Sequence, residues 1–251
     1  MKKLFPDMFD RPEKTLVMAG FIYSFIAFYS FPFLTLFFAQ GFNSAASLSW
    51  FEIVYHGVNF LVVAWLFREY LKESFFNFRY DIQPFLIVCG CCAAASVIYA
   101  TCITFQGFVG LEEQHHFVAE SALPLVPVEL FNLSVNLVAV NNIAGVICVV
   151  IFAPLVISCL YYAIAFAPVC NSRPWLAYIV MAIVVAIPRV CHILNHWAPK
   201  AQIMLYFAQL PLHFIACYSY QKTDTVWAPI AVHTVTNIVA CVMVLWMASM
   251  V

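Results

Sequence analysis

The sequence predicts an all-α fold, a polytopic membrane bundle of about seven transmembrane helices forming one integral membrane domain over residues 1–251. Three observations predict it. Hydrophobic residues make up 65% of the chain and charged residues only 9%, where soluble domains carry about 25% charged residues. Mean hydropathy is +0.94. The apolar residues fall in runs close to the roughly 20 residues that cross a bilayer. With so few charges the chain has no polar coat to turn toward water, so its solvent is lipid.

The expected spans are, in order, Thr15–Gln40, Ser49–Phe67, Pro84–Gln106, Asn142–Pro168, Trp175–Ile193, Ile203–Tyr220 and Val226–Val251. The first contains Pro32 and the fourth Pro154. Membrane helices tolerate such prolines when neighbouring groups satisfy the carbonyls they free. Residues 1–130 hold the N-terminal helices and an acidic outer loop, and residues 131–251 hold the remaining core. The polar start, Met1 to Lys14, leads into an apolar run too long for a signal peptide and lacks a small-residue cleavage site. Between the second and third spans, Arg68–Gln83 mixes charges with Phe75, Phe76, Phe78 and Tyr80. That mixture fits either a helix lying in the inner interface or a solvated loop.

Orientation follows from the basic residues. With a cytoplasmic N-terminus, Lys2, Lys3, Arg11, Lys14, Arg68, Lys72, Arg79, Arg173 and Lys222 lie inside, against Arg189 and Lys200 outside. The C-terminus and the loop Gly107–Leu130 are then outside. The net charge of −1 gives no electrostatic case for nucleic acid. Multi-pass insertion in a bacterial plasma membrane is the expected location.

All ten cysteines lie within or at the ends of apolar runs, unlike a disulfide framework, which sits in loops. Cys89, Cys91 and Cys92 therefore read as small packing residues, not as a metal cluster. No cofactor and no metal are expected. The loop acids and histidines Glu112, Glu113, His115, His116 and Glu120 have the composition of a cation site but are ordinary for an exposed loop.

Polar side chains deep in lipid are functional candidates. His233 and Asn237 stand four apart on the seventh span, hence on one face. The fifth ends with His192, Asn195 and His196, the sixth carries a lone His213, and Glu52 and His56 form an i,i+4 pair on the second. His213 and the Glu52–His56 pair read as structural hydrogen-bonding groups.

The stretch YSYQKTDTVWAPIAVHTVTNIVACV resembles the last motif, His-x-x-x-Asn/Asp, of the CPBP family, the CAAX prenyl endopeptidase and bacteriocin-processing intramembrane proteases (also called Abi). The resemblance puts His233 and Asn237 in motif positions. His192 takes the second-motif position, with Pro188 replacing the Phe. Anchored on Ala153-Pro154, the first motif, Glu-Glu-x-x-x-Arg, places Ile157 and Ser158 where the glutamates belong and Tyr162 where the Arg belongs. In the family a glutamate activates water, and neither replacement can do so. The catalytic-position residues of this CPBP-like core are thus His192, His233 and Asn237, without the general base.

The resemblance implies a non-catalytic scaffold or partner-binding subunit, a pseudoprotease. The alternative is an active intramembrane endopeptidase of the CAAX/bacteriocin-processing type, and the third class is a small-molecule or ion transporter. The expected partners are the lipid bilayer and another membrane protein or membrane-embedded peptide.

Overall fold

The computed structural model describes residues 13–23, 26, 45–79, 82–109, 146–194 and 199–248. These residues form eight helices and no strands: α1 (Lys14–Tyr23), α2 (Ala45–Leu66), α3 (Arg68–Arg79), α4 (Ile82–Val109), α5 (Cys148–Cys170), α6 (Pro174–Leu194), α7 (Pro199–Thr223) and α8 (Trp227–Ala248). Each of the seven stretches expected to span holds helix. Two helical segments, Gln83–Thr101 and Cys148–Cys170, are long and apolar enough by themselves to cross a membrane.

The packing is that of a bundle whose solvent is apolar. Val54, Val58, Leu61 and Trp65 on α2, and Ile179, Ile183 and Ile187 on α6, point outward. The fully buried positions include small residues, Ala95, Ala163, Ala177, Ala216, Ala228 and Ala240. Small residues let helix backbones approach closely, which drives association where lipid removes the hydrophobic incentive. Cys89, Cys91 and Cys92 on α4 are free thiols, exposed, buried and half-buried respectively.

α5 is the central element, with α2, α6 and α8 packed on it. It is not a uniform α-helix. Cys148–Phe152 and Ser158–Phe166 are π-helical, separated by the α-helical turn Ala153–Ile157 and followed by Ala167–Cys170. Such i→i+5 segments are rare and concentrate at functional sites. α7 and α8 both pack along α4, and α6 runs antiparallel to α7.

The segment read as interfacial helix or loop is a helix, α3, and one face of it is occupied by protein. Tyr70 Oη meets Tyr220 Oη at 3.0 Å, and Ser74 Oγ meets Thr225 Oγ1 at 2.6 Å. The Trp227 indole donates to the Leu71 carbonyl at 2.8 Å. Arg68, Glu69, Lys72 and Glu73 face out. α3 thus clamps the turn between α7 and α8, where Asp224 adopts a left-handed φ of 51°; aspartate tolerates that conformation better than most residues.

Candidate intramembrane site on α5, α7 and α8

α8 begins just past Asp224, with Pro229 in its first turn, where a missing N–H costs nothing. Its polar residues Thr236, His233 and Asn237 are each 1% exposed. Buried polar groups need partners, and those of α8 find theirs on other helices. Thr236 is the exception, donating to its own Val232 carbonyl.

Asn237 and Thr234 close a gap that Pro154 opens in α5. Proline has no N–H, so residue 154 cannot serve the carbonyl four residues back, Val150, nor the one five back, Val149. Those two carbonyls accept side chains of α8. Asn237 Nδ2 donates to Val149 O at 2.8 Å, and Thr234 Oγ1 donates to Val150 O at 3.2 Å. The turn of α5 before Pro154 and the Thr234–Asn237 turn of α8 are thus physically interlocked. Asn237 Oδ1 is buried without a partner among the described residues.

One turn nearer the start of α8, His233 meets a second cluster. The Tyr162 hydroxyl on α5 lies 2.7 Å from His233 Nε2 and 2.8 Å from His213 Nδ1 on α7. The two imidazole centroids are 5.2 Å apart, and Tyr162 is completely buried. A phenol has one proton to donate, so with both rings neutral one imidazole accepts from Tyr162 and the other donates its N–H to the phenol oxygen. The arrangement binds three helices through one oxygen atom.

The positions that the resemblance pairs with the family's glutamates, Ile157 and Ser158, are apolar or neutral. Ile157 is 2% exposed, and Ser158 is fully buried with its Oγ unpartnered among the described residues. No Asp or Glu occurs anywhere in α5 to α8. Tyr162, four residues after Ser158, reaches both His213 and His233.

α6 and α8 start at the same end of the bundle, since α5 joins α6 and α7 joins α8 through short turns and Tyr178 Oη donates to Gln221 Oε1 at 2.9 Å. His192 lies about 27 Å along α6 and His233 about 9 Å along α8, at 1.5 Å per residue. The side chain of His192, the residues Asn195 and His196, and the loop with Glu112, Glu113, His115, His116 and Glu120 lie outside the described residues. So does the side chain of Glu52; His56 is half-buried on α2, its ring edge-on to Tyr55.

His233 and Asn237 face the interior, as their stripe predicts, and toward α5. The second helix that this stripe addresses, through His213 beside His233, is α7. His213 is the buried, hydrogen-bonded core residue that the sequence suggests, whereas the sequence does not reveal Tyr162 as its partner or single out Thr234. A buried imidazole without a local partner was the available signal, because it needs a partner somewhere in the fold.

These features define a class, a helical membrane protein with a buried histidine–asparagine stripe packed on a proline-interrupted helix. Residues 139–239 match the family model "Type II CAAX prenyl endopeptidase Rce1-like". This segment contains α5, α6, α7 and α8 as far as Val239, the part of the chain in which the motifs resemble the CPBP family. No curated protein and no solved structure matches the chain.

Proposed function

We propose that the chain is a non-catalytic CPBP-like membrane protein, a pseudoprotease that serves as a scaffold or partner-binding subunit. The observation that carries this reading is the Tyr162 hydroxyl seated on His233 Nε2 and His213 Nδ1, all within the buried core. Peptide hydrolysis needs a base to activate water beside the scissile carbonyl. Here the nitrogen of the motif histidine is engaged by a phenol, and Ile157 and Ser158 stand at the base positions. The Asn237 amide, which could stabilise an oxyanion, is spent on Val149 O. In this reading the motif residues have become interhelical fasteners, and the chain crosses the plasma membrane seven times with its N-terminus in the cytoplasm. Its partner is another membrane protein or a membrane-embedded peptide.

The test is to incubate purified protein in detergent with prenylated CAAX-type peptides and with membrane-spanning peptides. No cleavage above a mock purification is expected. Cleavage that vanishes in His233→Ala would refute the proposal and establish the competing reading, an endopeptidase with a histidine as its base.

A further inference from the structure

The described surface at the α6–α7 end of the bundle carries two exposed cations. Arg173, immediately before α6, and Lys222, in the last turn of α7, are both exposed. Because Tyr178 and Gln221 are hydrogen-bonded, the start of α6 and the end of α7 lie side by side. Neither cation forms an ion pair with a carboxylate among the described residues; Lys222 sits 5.5 Å from the centroid of the Tyr218 ring. The acid closest in sequence, Asp224, acts electrostatically on Cys170 at the end of α5.

What lies along the helices from these cations has the profile of a lipid. On α6, Trp175 is 64% exposed, and Ile179, Ile183 and Ile187 continue its face at four-residue intervals. Tyr218, 47% exposed, stands one turn before Lys222 on α7. Cation, then aromatic, then branched aliphatic is the order in which a protein meets phosphate, glycerol interface and acyl chain. Exposed cations on adjoining membrane helices at this level suit an acidic head group.

We propose that Arg173 and Lys222 hold the head group of an acidic phospholipid, with Trp175 and Tyr218 at its glycerol level and the isoleucine stripe of α6 along an acyl chain. The site is on the outer surface of the bundle and independent of the buried histidine cluster and of whether that cluster is catalytic.

The full chain, purified in a mild detergent, is presented with equal amounts of phosphatidylglycerol and phosphatidylcholine, and retained lipid is counted by native mass spectrometry. Phosphatidylglycerol should be retained several-fold over phosphatidylcholine. Arg173→Gln with Lys222→Gln should abolish the preference while leaving phosphatidylcholine retention unchanged. Both side chains are exposed, so folding is preserved, as unchanged circular dichroism will verify. Arg68→Gln with Lys72→Gln, which removes two exposed cations on α3 instead of on α6 and α7, should keep the preference. Equal retention of the two lipids in the wild type, an undiminished preference in the Arg173/Lys222 variant, or its loss in the Arg68/Lys72 variant would overturn the proposal. So would competition by inorganic phosphate as effective as by phosphatidylglycerol, since the site would then read free phosphate and not lipid.

Discussion

If Pro154 creates the acceptors that α8 fills, then the worth of Asn237 must depend on Pro154. Replacing Asn237 with Leu removes the 2.8 Å bond to Val149 O and leaves that carbonyl buried, since Val149 is 0% exposed. A buried group stripped of its partner costs about 1–3 kcal/mol in soluble proteins. Side-chain hydrogen bonds inside membranes average about 0.6 kcal/mol and reach about 1.7. The lower range applies here, because the unfolded chain in lipid finds other partners and because Leu also removes the unpartnered Asn237 Oδ1. Asn237→Leu should therefore cost about 0.5–2 kcal/mol. In Pro154→Ala the backbone regains an N–H at residue 154, able to serve Val149 or Val150 from within α5. Asn237→Leu should then cost about 1 kcal/mol less, a coupling well above the roughly 0.3–0.5 kcal/mol scatter of independent sites. The cycle is measured by reversible unfolding in mixed detergent and dodecyl sulfate micelles, followed by circular dichroism. Equal cost of Asn237→Leu in both backgrounds would refute the argument, because α5 would not then depend on α8 for its missing donor.

Three further expectations follow from particular contacts. Tyr162→Phe keeps the ring but deletes the oxygen between His213 and His233, and should cost about 1–3 kcal/mol, since two membrane hydrogen bonds go at once; a loss below about 0.5 kcal/mol in the same unfolding assay would contradict the bridging role. Ser158→Ala removes a buried hydroxyl that has no partner among the described residues, so stability should hold or rise by up to about 1 kcal/mol, and a fall of that size would mean the hydroxyl is satisfied. Gly20→Ala drives a methyl into the Cδ1 of Ile164 and to 3.1 Å from its Cγ1 and 3.2 Å from Phe67 Cζ. It should cost about 1–3 kcal/mol by overpacking, and Ile164→Val, which lacks Cδ1, should recover part of that loss; no recovery would mean that α1 does not dock there.

Much of the bundle was legible because the relevant signals are local. Apolar runs mark helices wherever the solvent is lipid, and the four-residue spacing of His233 and Asn237 puts them on one face whatever surrounds them. A polar stripe cannot remain in hydrocarbon, so its inward orientation followed as well. The Ala-Pro and His-x-x-x-Asn motifs were visible as words, but not the fact that the Val149 and Val150 carbonyls before Pro154 accept from Asn237 and Thr234. Val149 and Asn237 are separated by 88 residues, and no local pattern reports which carbonyl a distant amide will meet. The Arg68–Gln83 segment was ambiguous for the same reason: its charge and aromatic content suits water, interface or protein until Ser74 is seen against Thr225.

What the sequence alone determined, then, is the solvent of this protein, its apolar helices and the inward sense of its polar stripe, because hydropathy and helical period are properties of consecutive residues. Only the tertiary structure decided that Tyr162 would stand between His213 and His233 and that Asn237 and Thr234 would complete α5 beyond Pro154. Those pairings depend on how α5, α7 and α8 are rotated and slid against one another. A shift of one residue along a helix turns its side chains by about 100°, so the partners exist only once the whole bundle has fixed that register.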